Sequence, residues 1–251
     1  MIDAHTHTNL SYCCPDPEMT PEFYADFLRS NSEGLQKAVI ADHGMAIYFP
    51  AEIAWKWSYI SHPSIFDEWK SQGDEKLAAH LEKIKRFAAD GLIPGIELEF
   101  MNDGRPVFSP EFKKDIKVLI GSIHFLALPD NPSPQMIIDE WIRNMDMIFS
   151  YPVNILGHPF RWLESHIGTV PLEIISETVR RAKSQNIAIE FNSHFKMNSD
   201  IPMLKEVIRH KALVTFGSDA HVKSEIGNFS YHFGLLDKAK ISINDLTFLS
   251  L

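Results

Sequence analysis

A chain of 251 residues with 45% hydrophobic side chains can bury one sizeable core, and α/β barrels commonly use this length as a single domain. The formal net charge of -9 removes any global basic field, so neither long nucleic acid nor an anionic membrane is an expected partner. Only two cysteines occur, adjacent at Cys13 and Cys14, which excludes a disulfide framework. No apolar run approaches ~18 residues, and His5 and His7 lie too near the start for a removed leader, so a cytoplasmic protein is expected.

In chain order, short aliphatic or β-branched runs predict strands at 1–5, 37–41, 93–98, 117–123, 153–157, 187–191 and 213–217. Longer amphipathic runs predict helices near 20–33, 74–90, 134–150, 171–185 and 201–210, with a short one near 244–250. Thr20-Pro21-Glu22 reads as an N-cap, a first-turn proline and an acidic first turn, and Ser133-Pro134 and Val170-Pro171 mark two further starts. Leu77, Leu81, Ile84 and Phe87 keep helical spacing on one face. Seven strands alternating with helices argue for parallel β/α units in one domain over 1–251. The segment 45–73 breaks the rhythm with Trp55, Trp57, Tyr59, Phe66 and Trp69 but no clean strand. It reads either as a cover over a site or as a satellite hydrophobic cluster.

Six of the twelve histidines, with two carboxylates, fall where predicted strands run out. The series is Asp3-Ala4-His5-Thr6-His7, Ala41-Asp42-His43, Gly95-Ile96-Glu97, Gly121-Ser122-Ile123-His124, Leu156-Gly157-His158 and Gly217-Ser218-Asp219-Ala220-His221. Imidazole and carboxylate are ligands of choice for zinc, iron and manganese, and parallel β/α folds place active groups at strand C-termini. The simplest reading is one polynuclear site of two or three divalent ions. Asp3 and Asp42 are expected to orient imidazoles, and Glu99, on the same side as Glu97, to support the ligands. His80 and His210 lie in helical stretches and read as solvated or capping. His62, in the possible cover, and His194, after the strand at 187–191, are candidates to reach substrate.

The motif series resembles the polymerase and histidinol phosphatase (PHP) superfamily over roughly residues 1–235, and G-S-I-H-F-L with G-S-D-A-H is most similar to its histidinol-phosphatase branch. The resemblance implies a distorted (β/α)7 TIM-like barrel with a trinuclear site. By position, His5, His7, Glu97 and Asp219 would hold one ion, and Glu97 would bridge to a second held by His124 and His158. His43 and His221 would hold a third, together with the residue six places after the second motif histidine. The family usually has histidine there, and this chain has Cys13. A thiolate can ligate zinc or iron, giving a softer site, and water or Asp16 are alternative ways of completing it.

Clustered divalent ions suit phosphoryl transfer, since they neutralise phosphate charge and activate water at neutral pH. The expected activity is therefore hydrolysis of a small phosphomonoester, similar to that of histidinol phosphatase in histidine biosynthesis. Arg161 is the best-placed guanidinium for the phosphate. Protonation of the leaving alkoxide is open between a coordinated water, Asp219 and His194. Glu164, Glu99 or Glu190 could face a substrate amine. The alternatives are a phosphodiesterase or nuclease-like enzyme on the same metals, and a non-catalytic metal-binding module. The sequence does not fix the oligomeric state.

Overall fold

The computed structural model describes residues 1–30 and 34–251, so the end of the helix expected over 20–33 lies outside the described residues. Strands and helices alternate, giving an α/β fold. β1 (Ile2–Thr6), α1 (Pro21–Ser30) and β2 (Lys37–Ile40) are followed by four helices, α2 (Gly44–Tyr48), α3 (Ala51–Ala54), α4 (Ser58–Ser61) and α5 (Ser64–Arg86). Next come β3 (Leu92–Leu98), β4 (Val118–Gly121), α6 (Pro134–Ser150), β5 (Ile155–Leu156), α7 (Arg161–Ile167) and α8 (Leu172–Ser184). β6 (Ala188–Asn192), α9 (Asp200–His210), β7 (Leu213–Gly217), α10 (Ser230–Ala239) and β8 (Thr247–Phe248) complete the chain. Within each unit, neighbouring strands follow the chain order. The chain divides into two compact units, Met1–Ile120 with Gly217–Asn228, and Gly121–Phe216 with Phe229–Leu251.

In the first unit β1, β2 and β3 pair in parallel, with Ile2 opposite Lys37 and Ala38 opposite Leu92. The segment after β7 returns to β1: Thr6 bridges Ala220, and the Asp219 N–H donates to the His5 carbonyl at 2.8 Å. Asp3 fixes this return. Its buried carboxylate accepts the Ser218 N–H at 2.8 Å and the Gly227 N–H at 2.9 Å. The expectation that Asp3 orients an imidazole is therefore corrected, because both of its oxygens are taken up by backbone.

The excursion over 45–73 is helical. Phe49 takes an extended conformation before Pro50, where a following pyrrolidine ring disfavours the helix, and this ends α2. The rings pack on one another, Tyr48 against Phe66 at 5.0 Å and Phe49 against Tyr59 at 4.6 Å, while Trp55 stays 48% exposed. For Tyr48, Phe49, Tyr59 and Phe66 the satellite-cluster reading describes the structure. α5 starts at Ser64, ten residues before the expected 74, and Leu77, Leu81 and Ile84 are buried along its inner face.

In the second unit β5 pairs with β6 and β7 with β8, both in parallel. The Ser133 side chain caps α6 by accepting the Met136 N–H at 3.3 Å, as its sequence predicts. The helix expected near 244–250 is absent. A single 3-10 turn over Ile243–Asp245 gives way to β8, whose Thr247 lies opposite Leu213. The apolar residues there alternate too briefly to distinguish a helix from an added strand, and pairing with β7 decides. An eighth strand therefore joins the expected seven among the described residues.

Candidate metal centre

The first unit gathers the N-terminal histidines with partners from three other strand ends. His5 and His7 lie two residues apart on β1 and just beyond it, so both rings project to the same side, and both are fully buried. The backbone pairing of His43 with Glu97 sets the ends of β2 and β3 side by side. Glu97 Oε2 consequently sits 3.4 Å from His5 Nε2, 3.6 Å from His7 Nε2 and 2.9 Å from His43 Nδ1. Asp219 adopts a left-handed backbone (φ 52°), a conformation non-glycine residues hold only when the surroundings require it. Its Oδ1 lies 2.8 Å from His7 Nε2. Gly44, directly after His43, is pressed against backbone: a Cβ there would lie 2.5 Å from the Val107 carbonyl oxygen.

The hydrogen-bond network fixes the proton on His7. Asp42 is buried and ionised, held well below the ordinary carboxylate range against the cost of burial, chiefly by His80, then by His7 and the Ser11 hydroxyl. It accepts the Thr8 N–H and hydroxyl, each at 2.8 Å, and the Ser11 hydroxyl at 2.7 Å. Ser11 has one hydroxyl proton and spends it on Asp42, so its oxygen must accept from His7 Nδ1 at 3.2 Å and from the His43 N–H at 3.2 Å. With the proton on Nδ1, Nε2 of a neutral His7 presents a lone pair to Asp219 and Glu97. Burial first, then the His43 and His221 rings, push His7 down to about 4, so the ring is neutral near pH 7. Acceptor facing acceptor across 2.8 Å is the arrangement a bound cation relieves.

His221 repeats the device. Its Nδ1 donates to the Asp219 carbonyl at 2.6 Å, which turns Nε2 to Cys13 Sγ at 3.0 Å. Burial would raise the Cys13 thiol, but His43 and His221 prevail and bring it to about 6. Burial would lower His221, yet Cys13 and Asp219 take it up to about 8. A thiolate–imidazolium pair results, with a proton where a metal ion would bind. Cys14 points elsewhere, to the His221 carbonyl and Met19 Sδ, and burial pushes its thiol up to about 12. Asp16 faces Lys223 at 3.4 Å and accepts the Glu18 N–H, so it does not join Cys13. The ligand atoms of His7, His43 and His221, and those of His5, His7 and Glu97, each lie within 4.8 Å of one another.

Two supporting residues escaped the sequence reading or were misassigned. His80 was expected to be solvated or capping. It is 8% exposed, and its Nε2 lies 3.0 Å from Asp42 Oδ2. The signal was available, since position 80 falls on the same face of α5 as Leu77, Leu81 and Ile84. Ser11 carried no motif signal. Glu99 supports the site as expected, 3.1 Å from His43 Nδ1 and accepting the Met45 N–H at 2.9 Å.

In the second unit His124 and His158 lie with ring centroids 5.3 Å apart. His158 takes a positive φ of 25°, and its N–H donates to the buried Glu190 at 2.8 Å. Phe195 meets the His158 ring edge-on, and the Arg161 guanidinium stands 3.6 Å over the Phe195 ring. Arg161 thus joins the His158 cluster as the first residue of α7. His194 is exposed beside Phe195, and His62 is exposed and bonded within α4. Glu164 accepts the Asn198 and Ser199 N–H groups. The three acids considered for a substrate amine, Glu99, Glu164 and Glu190, all serve backbone.

No protein-family model matches the chain. A probable phosphatase of Clostridium novyi (strain NT) is 30% identical over 131 residues, covering 49% of this chain and 49% of that protein, so the match spans about half its length. Probable phosphatases of Clostridium botulinum, from strains Langeland (Type F) and Hall (Type A), are 26% and 24% identical over 241 residues. Each of these alignments covers 91% of this chain and 82% of the relative, so the similarity runs through both halves of the histidine and carboxylate series.

Proposed function

We propose that the protein is a single-domain, metal-dependent phosphoesterase of the PHP type, with a TIM-like barrel, acting on small phosphomonoesters. The observation that carries this reading is the convergence of acceptors at His7, Asp219 and Glu97, with the His7 proton committed to Ser11. That donor set fits divalent zinc, manganese or iron. His5, His7, Glu97 and Asp219 would hold one ion, Cys13, His43 and His221 another. The motif order assigns His124 and His158, with Glu97, to a third. The similarity to proteins named probable phosphatase supports the substrate class, and the return of 217–228 onto β1 supports the barrel.

When bound, such ions neutralise phosphate charge and make water a nucleophile near neutral pH. The chain's own residues do the positioning. Asp42, through Ser11, keeps His7 in the tautomer that can ligate. Arg161, flat on Phe195, offers a planar donor fork to a phosphate. Asp219, or alternatively His194 of the second unit, is proposed for the proton-transfer role. Because Glu99, Glu164 and Glu190 are spent on backbone, the substrate is kept at the level of a small phosphomonoester, of which histidinol phosphate is one member.

Among the described residues no helix is long and apolar enough to cross a membrane. The test is a screen of phosphomonoesters and phosphodiesters with manganese, zinc and iron supplied separately, alongside metal analysis. Monoester turnover with more than one equivalent of metal is expected. Turnover of diesters alone would overturn the substrate class, and one equivalent or less after saturation would overturn the polynuclear centre.

A further inference from the structure

The second unit contains a cavity of about 570 Å³ between the loop that follows β6 and one face of α10. Ser230, Gly234 and Lys238 are spaced four apart, so they form a single stripe on that helix. Across from them stand Lys196 and Asn198. Both lysines are exposed, and Ile201 with the buried Leu235 gives the cavity an apolar wall. Its size is that of a small-metabolite site.

Gly234 is the second observation. Inside a helix, glycine costs about 1 kcal/mol relative to alanine. Nothing in the packing asks for it, since a Cβ at this position would meet no atom within 4 Å. What the missing side chain leaves is open space in the middle of the groove.

The two charged side chains that line the groove, Lys196 and Lys238, are both cationic. Lys196 Nζ lies 5.9 Å from the Tyr231 ring centroid, and the Tyr231 hydroxyl donates to Asp200 at 2.6 Å. Asp200 also accepts the Met197 N–H at 3.1 Å. Burial first, with Glu164 and Glu190 adding to it, pushes the Asp200 carboxyl up to about 7, so the acid beneath the groove carries only about half its charge near pH 7. The same short loop carries Phe195, on which Arg161 rests, and then Lys196.

We infer that this groove binds the second, non-reacting anionic group, a carboxylate or phosphate, of a doubly anionic small molecule. Lys196 and Lys238 supply the charge, Asn198 and Ser230 the polar contacts, and Gly234 the room. The identification of that molecule with the substrate rests on the proposed phosphomonoesterase reading. The alternative source of the same chemistry is a free anion bound beside the substrate.

The test measures binding calorimetrically to the metal-loaded protein, using non-hydrolysable alkylphosphonates with and without a terminal carboxylate, for example 6-phosphonohexanoate and hexylphosphonate, over a series of chain lengths. Inorganic phosphate is titrated in parallel into both metal-loaded and metal-free protein. A terminal carboxylate of suitable reach is expected to tighten binding about tenfold or more, as a charge-assisted hydrogen bond would. The Lys196→Gln/Lys238→Gln double variant should remove that gain, and Gly234→Leu should reduce it by filling the groove. Hexylphosphonate affinity should not move in either.

If the carboxylate adds nothing at any length, but phosphate binds metal-free wild type and not the double lysine variant, the groove takes a separate anion and the link to the substrate falls. If neither the carboxylate nor the variants change any affinity, the groove proposal is overturned while the metal centre stands. Failure of every phosphonate to bind, with lysine-dependent phosphate binding retained, would sink the phosphatase reading and leave the groove.

Discussion

Ser11→Ala tests the proton assignment on which the proposed metal centre depends. The substitution removes the one oxygen that accepts from His7 Nδ1 and from the His43 N–H, and the one hydroxyl that donates to Asp42 Oδ1. Asp42 keeps Thr8 and His80, so its charge remains supported. The loss falls on two buried donors. An unsatisfied buried donor costs about 1–3 kcal/mol, and relaxation toward remaining partners leaves about 2 kcal/mol for the site as a whole. For a chain of this length about 2 kcal/mol lowers the melting temperature by roughly 4–8 °C. The sharper consequence is on ligation. Freed from Ser11, His7 can place its proton on Nε2 and hydrogen-bond Asp219, which removes the lone pair from the site. Loss of such an orienting partner weakens metal binding by about 10–100-fold. The assay is competition against a chelator for manganese or zinc, with thermal unfolding of the metal-free protein as the control for folding. Unchanged metal affinity in a folded Ser11→Ala protein would refute the assignment, because Nε2 would then be available whatever holds Nδ1.

Four further outcomes are expected. Glu97→Gln should abolish turnover and reduce the bound metal count in a protein that still unfolds cooperatively; activity within a few fold of wild type would remove Glu97 from the centre. Cobalt-loaded wild type should show a thiolate charge-transfer band in the near ultraviolet, lost in Cys13→Ala and Cys13→His but kept in Cys14→Ala, while Cys13→His retains metal. Arg161→Ala should raise KM for a small phosphomonoester by about one to two decades, since a charge-assisted pair is worth roughly 1.5–3 kcal/mol, with Arg161→Lys recovering only part. His232 is buried and pushed down to about 4, with burial as the main cause. Its unfolded form binds a proton near pH 6.5, so its neutral burial contributes fully above that pH and is lost as pH falls to about 4. The loss reaches roughly 3 kcal/mol, read as a flatter stability profile in His232→Phe.

The candidate site was more legible than the fold's edges. The clustering of histidines and acids could be read because each ends a short aliphatic strand, and such a coincidence repeated in one chain is hard to produce by packing alone. His80 was missed because a polar residue on a helix is ordinarily solvated, although its place among Leu77, Leu81 and Ile84 marked it as inward-facing. Asp3 was misread for a different reason: its partners, Ser218 and Gly227, lie more than 200 residues away, and no local pattern announces them. At the C-terminus, Thr247–Phe248 became a strand through pairing with β7, which is tertiary information. α7 went unpredicted because seven residues offer too little periodicity to read.

The latch between Asp3 and the segment after β7 has a consequence for how the protein comes into being on the ribosome. His7 and Asp219 are 212 residues apart in sequence. At about 5–20 residues per second, synthesis takes roughly 10–40 s to cover that interval. Throughout it the first histidines emerge with no Asp219, no His221 and no strap to close over β1. A metal ion meeting the nascent chain at this stage would find only part of the candidate site, so loading at full affinity would await synthesis of Asp219 and His221. Chains that terminate early would carry the N-terminal histidines without an acidic partner from the far end. The order of synthesis thus means that the candidate metal centre can form only after the segment carrying Asp219 has been made.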